Sequence, residues 1–152
     1  MSRRRLAQLL TAAALVVVAG VIALRRQEQR PPSPQDAIYR MLDAARDADT
    51  AAYLDCYTGS MRSSLDRTLA ELGQENLRKY LRDSNASIRG VALQEPQPLT
   101  DSEVKVRVEY VYQDRNEVQT MYLEKRGEFW KISRVDAAEK VKTLIPYGTP
   151  VQ

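Results

Sequence analysis

The sequence predicts an α+β fold, in which an N-terminal transmembrane helix is followed by helices packed on a four-stranded antiparallel sheet. Three observations predict it. Residues 6–24 carry no charged side chain. Apolar residues then recur every three or four positions up to about residue 81, which is the helical period. After residue 85, apolar and polar residues alternate, which is the period of a half-buried strand. Helices followed by hairpin-linked strands are typical of the α+β class.

The uncharged run is long enough to cross a bilayer. A helix of this length, at about 1.5 Å per residue, is roughly 28 Å long, close to the roughly 30 Å hydrocarbon core. We expect a membrane anchor at residues 1–28, a Pro-rich linker at 29–34, a folded domain at 35–140 and an irregular tail at 141–152. The anchor's apolar positions include Leu6, Leu10, Leu15, Val18, Ile22 and Leu24.

Arginines flank the run on both sides and are expected to contact lipid head groups. They are nearly balanced, so the short N-terminal tail decides the orientation and favours an extracytoplasmic, periplasm-like side for the domain of a single-pass protein. A cleaved signal peptide and a buried soluble helix remain open, although the run lacks a good cleavage site. The flanking arginines are Arg3, Arg4, Arg5, Arg25 and Arg26.

The charge distribution argues against nucleic-acid binding. The chain has a net charge of +3, but residues 1–34 carry six arginines against one glutamate, which leaves −2 on the remainder. The predicted domain therefore lacks the basic stripe that pairs with nucleic-acid phosphates.

The residue types exclude several chemistries. There is no histidine and one cysteine, Cys56. This excludes His-based metal ligation, His acid–base catalysis, Ser-His and Cys-His nucleophiles and an intrachain disulfide, and it argues against structural zinc. No cofactor is predicted.

Capping and turn residues set the bounds of the predicted helices and strands. Ser33 fits an N-cap, because Pro34 suits the first helical position and Asp36 lies three residues after the cap. The predicted helices are 34–48, 51–57 and 60–73, with one or two further turns up to residue 81. The predicted strands are 87–94, 103–113, 117–126 and 128–135, joined as a meander.

In the second strand, Val104, Val106 and Val108 point to one face of the sheet. The charged residues that alternate with these valines are expected to form a solvated face with cross-strand ion pairs, or else a polar dimer or partner surface. These residues are Glu103, Lys105, Arg107 and Glu109.

The chain resembles the nuclear transport factor 2-like superfamily from about Pro34 to Asp136. The resemblance rests on PQDAIYRMLDAARDADTAAYLDCYT at the start and VKVRVEYVYQDRNEVQTMYLEKRGEFWKISRVD at the end, with the Gly-x-Trp-Lys-Ile type strand formed here by Gly127 to Ile132. It implies a curved sheet around a helix, a conical cavity and, in many relatives, dimerisation through the outer sheet face. The superfamily includes enzymes, binders and scaffolds.

Aromatic side chains are the best candidates for a binding cavity. Each can be explained by core packing, with its hydroxyl reaching solvent or a backbone group. The alternative is a cavity that holds a small apolar ligand and orients it through a few hydroxyl groups. The candidates are Tyr39, Tyr53, Tyr57, Tyr110, Tyr122 and Trp130.

Catalysis is the weaker expectation. Asp43 or Asp55 beside a tyrosine could transfer a proton next to a carbonyl. Asp43, however, follows the buried-looking Leu42 and is expected to face solvent, and Asp55 lies between Leu54 and Cys56 on a short helix. Cys56 is expected to be a small buried residue rather than a reactive thiol.

The sequence thus favours a non-catalytic, membrane-tethered domain that binds a partner protein or a small apolar ligand near the bilayer. The partner could be a second copy bound through the sheet face. One alternative is an isomerase- or cyclase-like enzyme using Asp and Tyr in the cone, and another is a structural subunit docked on an envelope complex.

Overall fold

The structure, a computed structural model, describes residues 32–141. Helices occupy the first half of this range and strands the second, which confirms the predicted α+β class. The helices are α1 (Pro34–Arg46), α2 (Thr50–Asp55), α3 (Gly59–Leu72) and α4 (Gln74–Ala86). The strands are β1 (Gly90–Leu93), β2 (Gln97–Pro98), β3 (Glu103–Val111), β4 (Asn116–Arg126), β5 (Phe129–Val135) and β6 (Glu139–Val141).

Helix α1 begins with the capping box that the sequence predicts. Ser33 Oγ accepts a hydrogen bond from the Asp36 backbone N–H at 3.1 Å, and the Ser33 N–H donates to Asp36 Oδ2 at 2.7 Å. Two otherwise unpaired backbone donors are thereby satisfied, which fixes where the helix starts. Asp49 caps α2 in a similar way, since its carboxylate accepts from the Ala52 N–H at 3.0 Å.

Helix α4 is longer than the one or two turns predicted. Gly73, with φ +79°, ends α3 and also precedes the first residue of α4, so it joins two helices rather than stopping one. Leu77 and Leu81 are the two buried residues of α4. They pack with Ala45 of α1 in a small apolar cluster of their own, which Tyr53 and Leu69 extend.

The four predicted strands form the central path of the sheet, in the order β1-β3-β4-β5, all antiparallel. Two short strands add to it. β2 pairs with β3, and β6 pairs with β4. Pro98 in β2 lies at the sheet edge, where its missing N–H removes no ladder bond.

Strand β3 shows the predicted alternation. Val104, Val106, Val108 and Tyr110 are buried on what we call the inner face, which packs against α1. The intervening side chains lie on the outer face. Ile38 of α1 is fully buried in the main core cluster. The other fully buried side chains are Leu123, Ile132, Val106, Val108 and Cys56.

The expected cross-strand ion pairs of Lys105 and Arg107 are wrong for the part of the chain that the structure describes. The reason is register: Lys105 lies between Gln97 and Tyr122, and Arg107 lies opposite Thr120, so their cross-strand neighbours are uncharged.

None of the helices between residues 32 and 141 is long and apolar enough to span a membrane. The predicted anchor (1–28), most of the predicted linker (29–34) and the tail beyond residue 141 lie outside the described residues, as do the lipid-facing and arginine positions assigned to them.

The packing of α4 generates a stability prediction. Leu77 is 3 % exposed, whereas Leu72 at the end of α3 is 46 % exposed. Leu77→Ala should lower the free energy of unfolding of the full chain by about 2–5 kcal/mol, the usual cost of truncating a buried leucine. Leu72→Ala, the same change on an exposed helical surface, should cost well under about 1 kcal/mol. Equal effects in urea unfolding would show that α4 does not dock through Leu77.

Candidate functional site

An open cavity of about 170 Å³ lies between α1, α4 and the inner sheet face. Its apolar wall comes mainly from the two helices and consists of Met41, Leu42, Ala45, Leu81 and Ile88, the last lying just after α4. Its polar side chains are Tyr53, Tyr80, Ser84, Asn85, Tyr110, Tyr112, Glu117 and Gln119.

The cavity follows from how the helices pack. α4 contacts mainly the other helices rather than the sheet. Its cluster around Leu77 and Leu81 is therefore separate from the main core cluster around Ile38. Side chains from α4 and from the inner face of β3 and β4 line the open, amphipathic gap between the two clusters.

Tyr53 and Tyr57 form a hydrogen-bonded pair beside the cavity. The Tyr57 hydroxyl donates to the Tyr53 oxygen at 2.8 Å, and the ring centroids are 5.1 Å apart with a tilt of 57°. Burial raises the pKa of both phenols, that of Tyr57 well above its ordinary value. Because Tyr57 is the donor, the proton of the Tyr53 hydroxyl is left for another acceptor.

Tyr110 is the inner-face tyrosine of β3 and is 7 % exposed. Its hydroxyl makes no hydrogen bond to any residue in the described range. No fully buried side-chain polar atom of residues 32–141 lacks a partner, so the Tyr110 oxygen must reach solvent, and the cavity is the open space that this residue lines. Burial raises its pKa, so it stays protonated and offers a donor to the cavity.

A charged side chain, Glu117, lines the cavity. Arg115 Nε donates to Glu117 Oε1 at 2.6 Å, and the guanidinium carbon lies 4.4 Å from the centroid of the Tyr112 ring. The Glu117 side chain is only 18 % exposed. Burial, and to a lesser extent the Glu117 charge, raises the pKa of Tyr112.

Four of the six predicted site residues, Tyr57 among them, do not line this cavity. Tyr39 follows Ile38 on α1 and is 49 % exposed, because one helical step turns it away from the core. Tyr122 lies on the outer face opposite Lys105, where its hydroxyl donates to Asp136 at 3.1 Å and Arg134 stacks on its ring at 3.7 Å.

Trp130 lines a separate depression of about 120 Å³ with Pro32, Arg40 and Phe129. The structure therefore brings Tyr53 and Tyr110 to one cavity, with Tyr57 behind Tyr53. It does not bring Tyr39, Tyr122 or Trp130 there.

The two aspartates proposed for catalysis also lie elsewhere. Asp43 is exposed and pairs with Arg46 at 2.9 Å. Asp55 pairs with Lys131 at 2.9 Å, and hydrogen bonding to that ammonium lowers its pKa. Cys56 is fully buried, and burial raises the pKa of its thiol, which donates to the Ala52 carbonyl at 3.2 Å. Both aspartates thus form ion pairs outside the cavity, and the thiol is held in its less reactive protonated form.

Sequence reasoning missed Tyr80, Glu117 and Gln119. Glu117 and Gln119 stand opposite Tyr110 and Val108. A tight turn at residues 112–115 sets this register, so the turn signal at Asp114 to Asn116 could have placed them on the inner face. Tyr80 could have been found only by knowing that α4 is a full helix, since it neighbours Leu81.

Among known proteins, only solved structures are similar to this chain, and the similarity is one of fold. No family model matches the chain, and the search of curated proteins found no match. Among solved structures, a cystatin-like protein from Ruminococcus gnavus is 14 % identical, with 70 % of this chain and 40 % of that chain covered and a TM-score of 0.48.

Two further solved structures are similar. A nuclear transport factor 2-like protein of unknown function from Burkholderia xenovorans is 15 % identical, covering 76 % of this chain and 88 % of that one at a TM-score of 0.40. A hexachlorocyclohexane dehydrochlorinase from Novosphingobium barchaimii is 12 % identical, covering 84 % and 99 % at 0.35. The neighbours are thus nuclear transport factor 2-like and cystatin-like folds, and no activity is transferred from them.

The buried phenols predict a loss of stability in alkali. Burial raises the folded-state pKa of Tyr53, Tyr57 and Tyr110 above 10.0, so the unfolded chain releases these protons first as pH rises. The contribution of these protonated phenols to the free energy of unfolding is therefore complete below pH 10 and is lost as the pH rises above it. Each such group steepens the fall by about 1.4 kcal/mol per pH unit.

Urea unfolding of the full chain at a series of pH values above 10 measures this slope. In Tyr110→Phe the slope should be smaller than in the wild type by about the contribution of one phenol. An unchanged slope would mean that Tyr110 ionises as readily in the folded protein as in the unfolded chain.

Proposed function

We propose that this protein is a non-catalytic binding domain whose inner cavity holds a small, largely apolar ligand that carries a hydrogen-bond acceptor. The observation that carries the proposal is the Tyr110 hydroxyl, a protonated donor at the cavity with no hydrogen-bond partner in the described protein. Tyr53 adds a second donor, because its oxygen already accepts from Tyr57. An apolar wall from α1 and α4 faces these donors.

The cavity volume limits the ligand. About 170 Å³ is below the roughly 300–1,000 Å³ of pockets for drug-sized molecules, but similar to a cavity of about 150 Å³ that binds benzene. One substituted aromatic ring, or a piece of a larger molecule, fits this size. Alternatively, the cavity could receive an aromatic side chain of a partner protein. In that case free small ligands would not bind to it.

The proposal predicts how two matched probes bind. Acetophenone has a carbonyl acceptor on an aromatic ring, and α-methylstyrene has nearly the same shape without the acceptor. Tyr110→Phe should weaken acetophenone binding by about two- to tenfold, since a net hydrogen bond is worth about 0.5–1.5 kcal/mol. It should leave α-methylstyrene binding unchanged. Titrations of the full chain followed by NMR measure both affinities.

Tyr122→Phe is the matched control, because Tyr122 is also a strand tyrosine but lies on the outer face. It should change neither affinity. If acetophenone binds no better than α-methylstyrene to the wild type, or if the two substitutions have equal effects, the Tyr110 hydroxyl is not the donor and the ligand class is wrong.

A second candidate, proton abstraction next to a carbonyl, is favoured by one observation: a carboxylate, Glu117, does line the cavity. Its Oε1 is engaged by Arg115, which leaves Oε2 as the base. In this reaction a carbon-bound proton would move to Glu117 while the enolate oxygen accepts from Tyr110. Exchange of the acetophenone methyl protons in deuterium oxide, lost in Glu117→Gln, would favour this candidate over simple binding.

The membrane tether belongs to the same proposal and is supported by the sequence. The uncharged run from Leu6 to Leu24 has the length of a bilayer-spanning helix and is flanked by arginines. We propose that it holds the domain at the extracytoplasmic surface, so that the cavity samples molecules near the bilayer.

The tether predicts that one arginine within the run releases the protein. Leu15→Arg places a charge near the middle of the span, at a cost of about 2.5–3.5 kcal/mol for insertion. After carbonate extraction of membranes, the wild-type chain should stay in the pellet and Leu15→Arg should move substantially to the soluble fraction. Leu72→Arg is the control, because this leucine is exposed on α3. A wild-type chain found in the soluble fraction would rule out the tether.

A further inference from the structure

The outer face of the sheet carries a second depression, of about 210 Å³, which we call the outer-face groove. It lies on the side of the sheet opposite the inner cavity, so it does not depend on the ligand proposed there. Polar side chains from the loop after β1 and from β2, β3 and β4 line it: Gln94, Gln97, Lys105, Arg107, Thr120 and Tyr122.

Two cations in the groove have no ion pair with any residue that the structure describes. Lys105 and Arg107 are two positions apart on β3, so their side chains leave the same face roughly 7 Å apart. Neither is within ion-pair distance of a carboxylate among residues 32–141. By contrast, Arg126 of β4, Arg134 of β5 and Arg115 in the turn between β3 and β4 each have an acidic partner.

The groups around the two cations are neutral and can form hydrogen bonds. Lys105 stands between Gln97 on one side and Tyr122 on the other, and Arg107 stands opposite Thr120. The Tyr122 hydroxyl donates its hydrogen bond to Asp136, so Tyr122 lines the groove without offering a donor to it. The Gln97 amide and the Thr120 hydroxyl have no hydrogen-bond partner in the described range. One carboxylate, Glu95, also lines the groove, but it is exposed and forms no ion pair there.

We propose that the outer-face groove binds a phosphate-type oxyanion, free or carried on a larger molecule. Arg107 provides a planar set of donors that matches two oxygens of such a group, and Lys105 adds a second positive charge. Gln97 and Thr120 complete the set of donors from the adjacent strands.

The test uses the full chain in detergent and inorganic phosphate as the probe, with sodium chloride adjusted to keep ionic strength constant. NMR shifts of the Thr120 and Tyr122 amides report binding. Phosphate should shift them saturably, and Arg107→Gln and Lys105→Gln should each weaken the affinity at least tenfold. Arg82→Gln is the control, because Arg82 is also exposed and has no ion pair within the described range but lies on α4. It should change the affinity less than twofold.

Three results would overturn the proposal: no saturable shift with phosphate, an equal shift with chloride alone, or an equal loss of affinity in Arg82→Gln. A short-chain phosphatidylglycerol below its micelle concentration separates the sources of the oxyanion. Tighter, Arg107-dependent binding of this lipid than of inorganic phosphate supports a head group as the source. The reverse order supports a soluble phosphate compound.

Discussion

The packing of α1 against the inner face of the sheet is the contact on which the rest of the domain depends. Ile38 is fully buried among the valines of β3, and Met41 lies one turn later on the same face. Further along, Ala45 leaves the sheet and packs against Leu77 and Leu81 of α4 instead. One helix therefore serves two apolar clusters, and the cavity is the space where the first cluster ends and the second begins.

The chemistry of the cavity follows from that position. Because the gap lies at the edge of the core, burial raises the pKa of Tyr53 and Tyr110, yet the Tyr110 oxygen is not enclosed by protein acceptors. Tyr57 sits deeper and donates a hydrogen bond to the Tyr53 oxygen, which leaves the Tyr53 hydroxyl proton for another acceptor. A site of this kind recognises an acceptor by hydrogen bonding and a ring by apolar contact, and it needs neither a metal nor a nucleophile to do so.

The sequence predicted what is local and missed what depends on distant parts of the chain. The alternation of β3 is visible because period two is fixed by neighbouring residues, and the start of α1 is visible because its cap is local. Tyr122 was misplaced because the buried residues of β4, Val118, Met121 and Leu123, do not follow one alternation. Its face is fixed only by pairing with Lys105. A cavity was expected from the resemblance, but its position and most of its lining could not be predicted, since they depend on α4 packing on α1.

The most direct test of this account is a crystal structure of the full chain with acetophenone at saturating concentration. The aromatic ring should lie against Leu42 and Leu81, with the carbonyl oxygen about 3 Å from the Tyr110 hydroxyl. An empty cavity under these conditions, or a ligand bound only elsewhere on the domain, would contradict it.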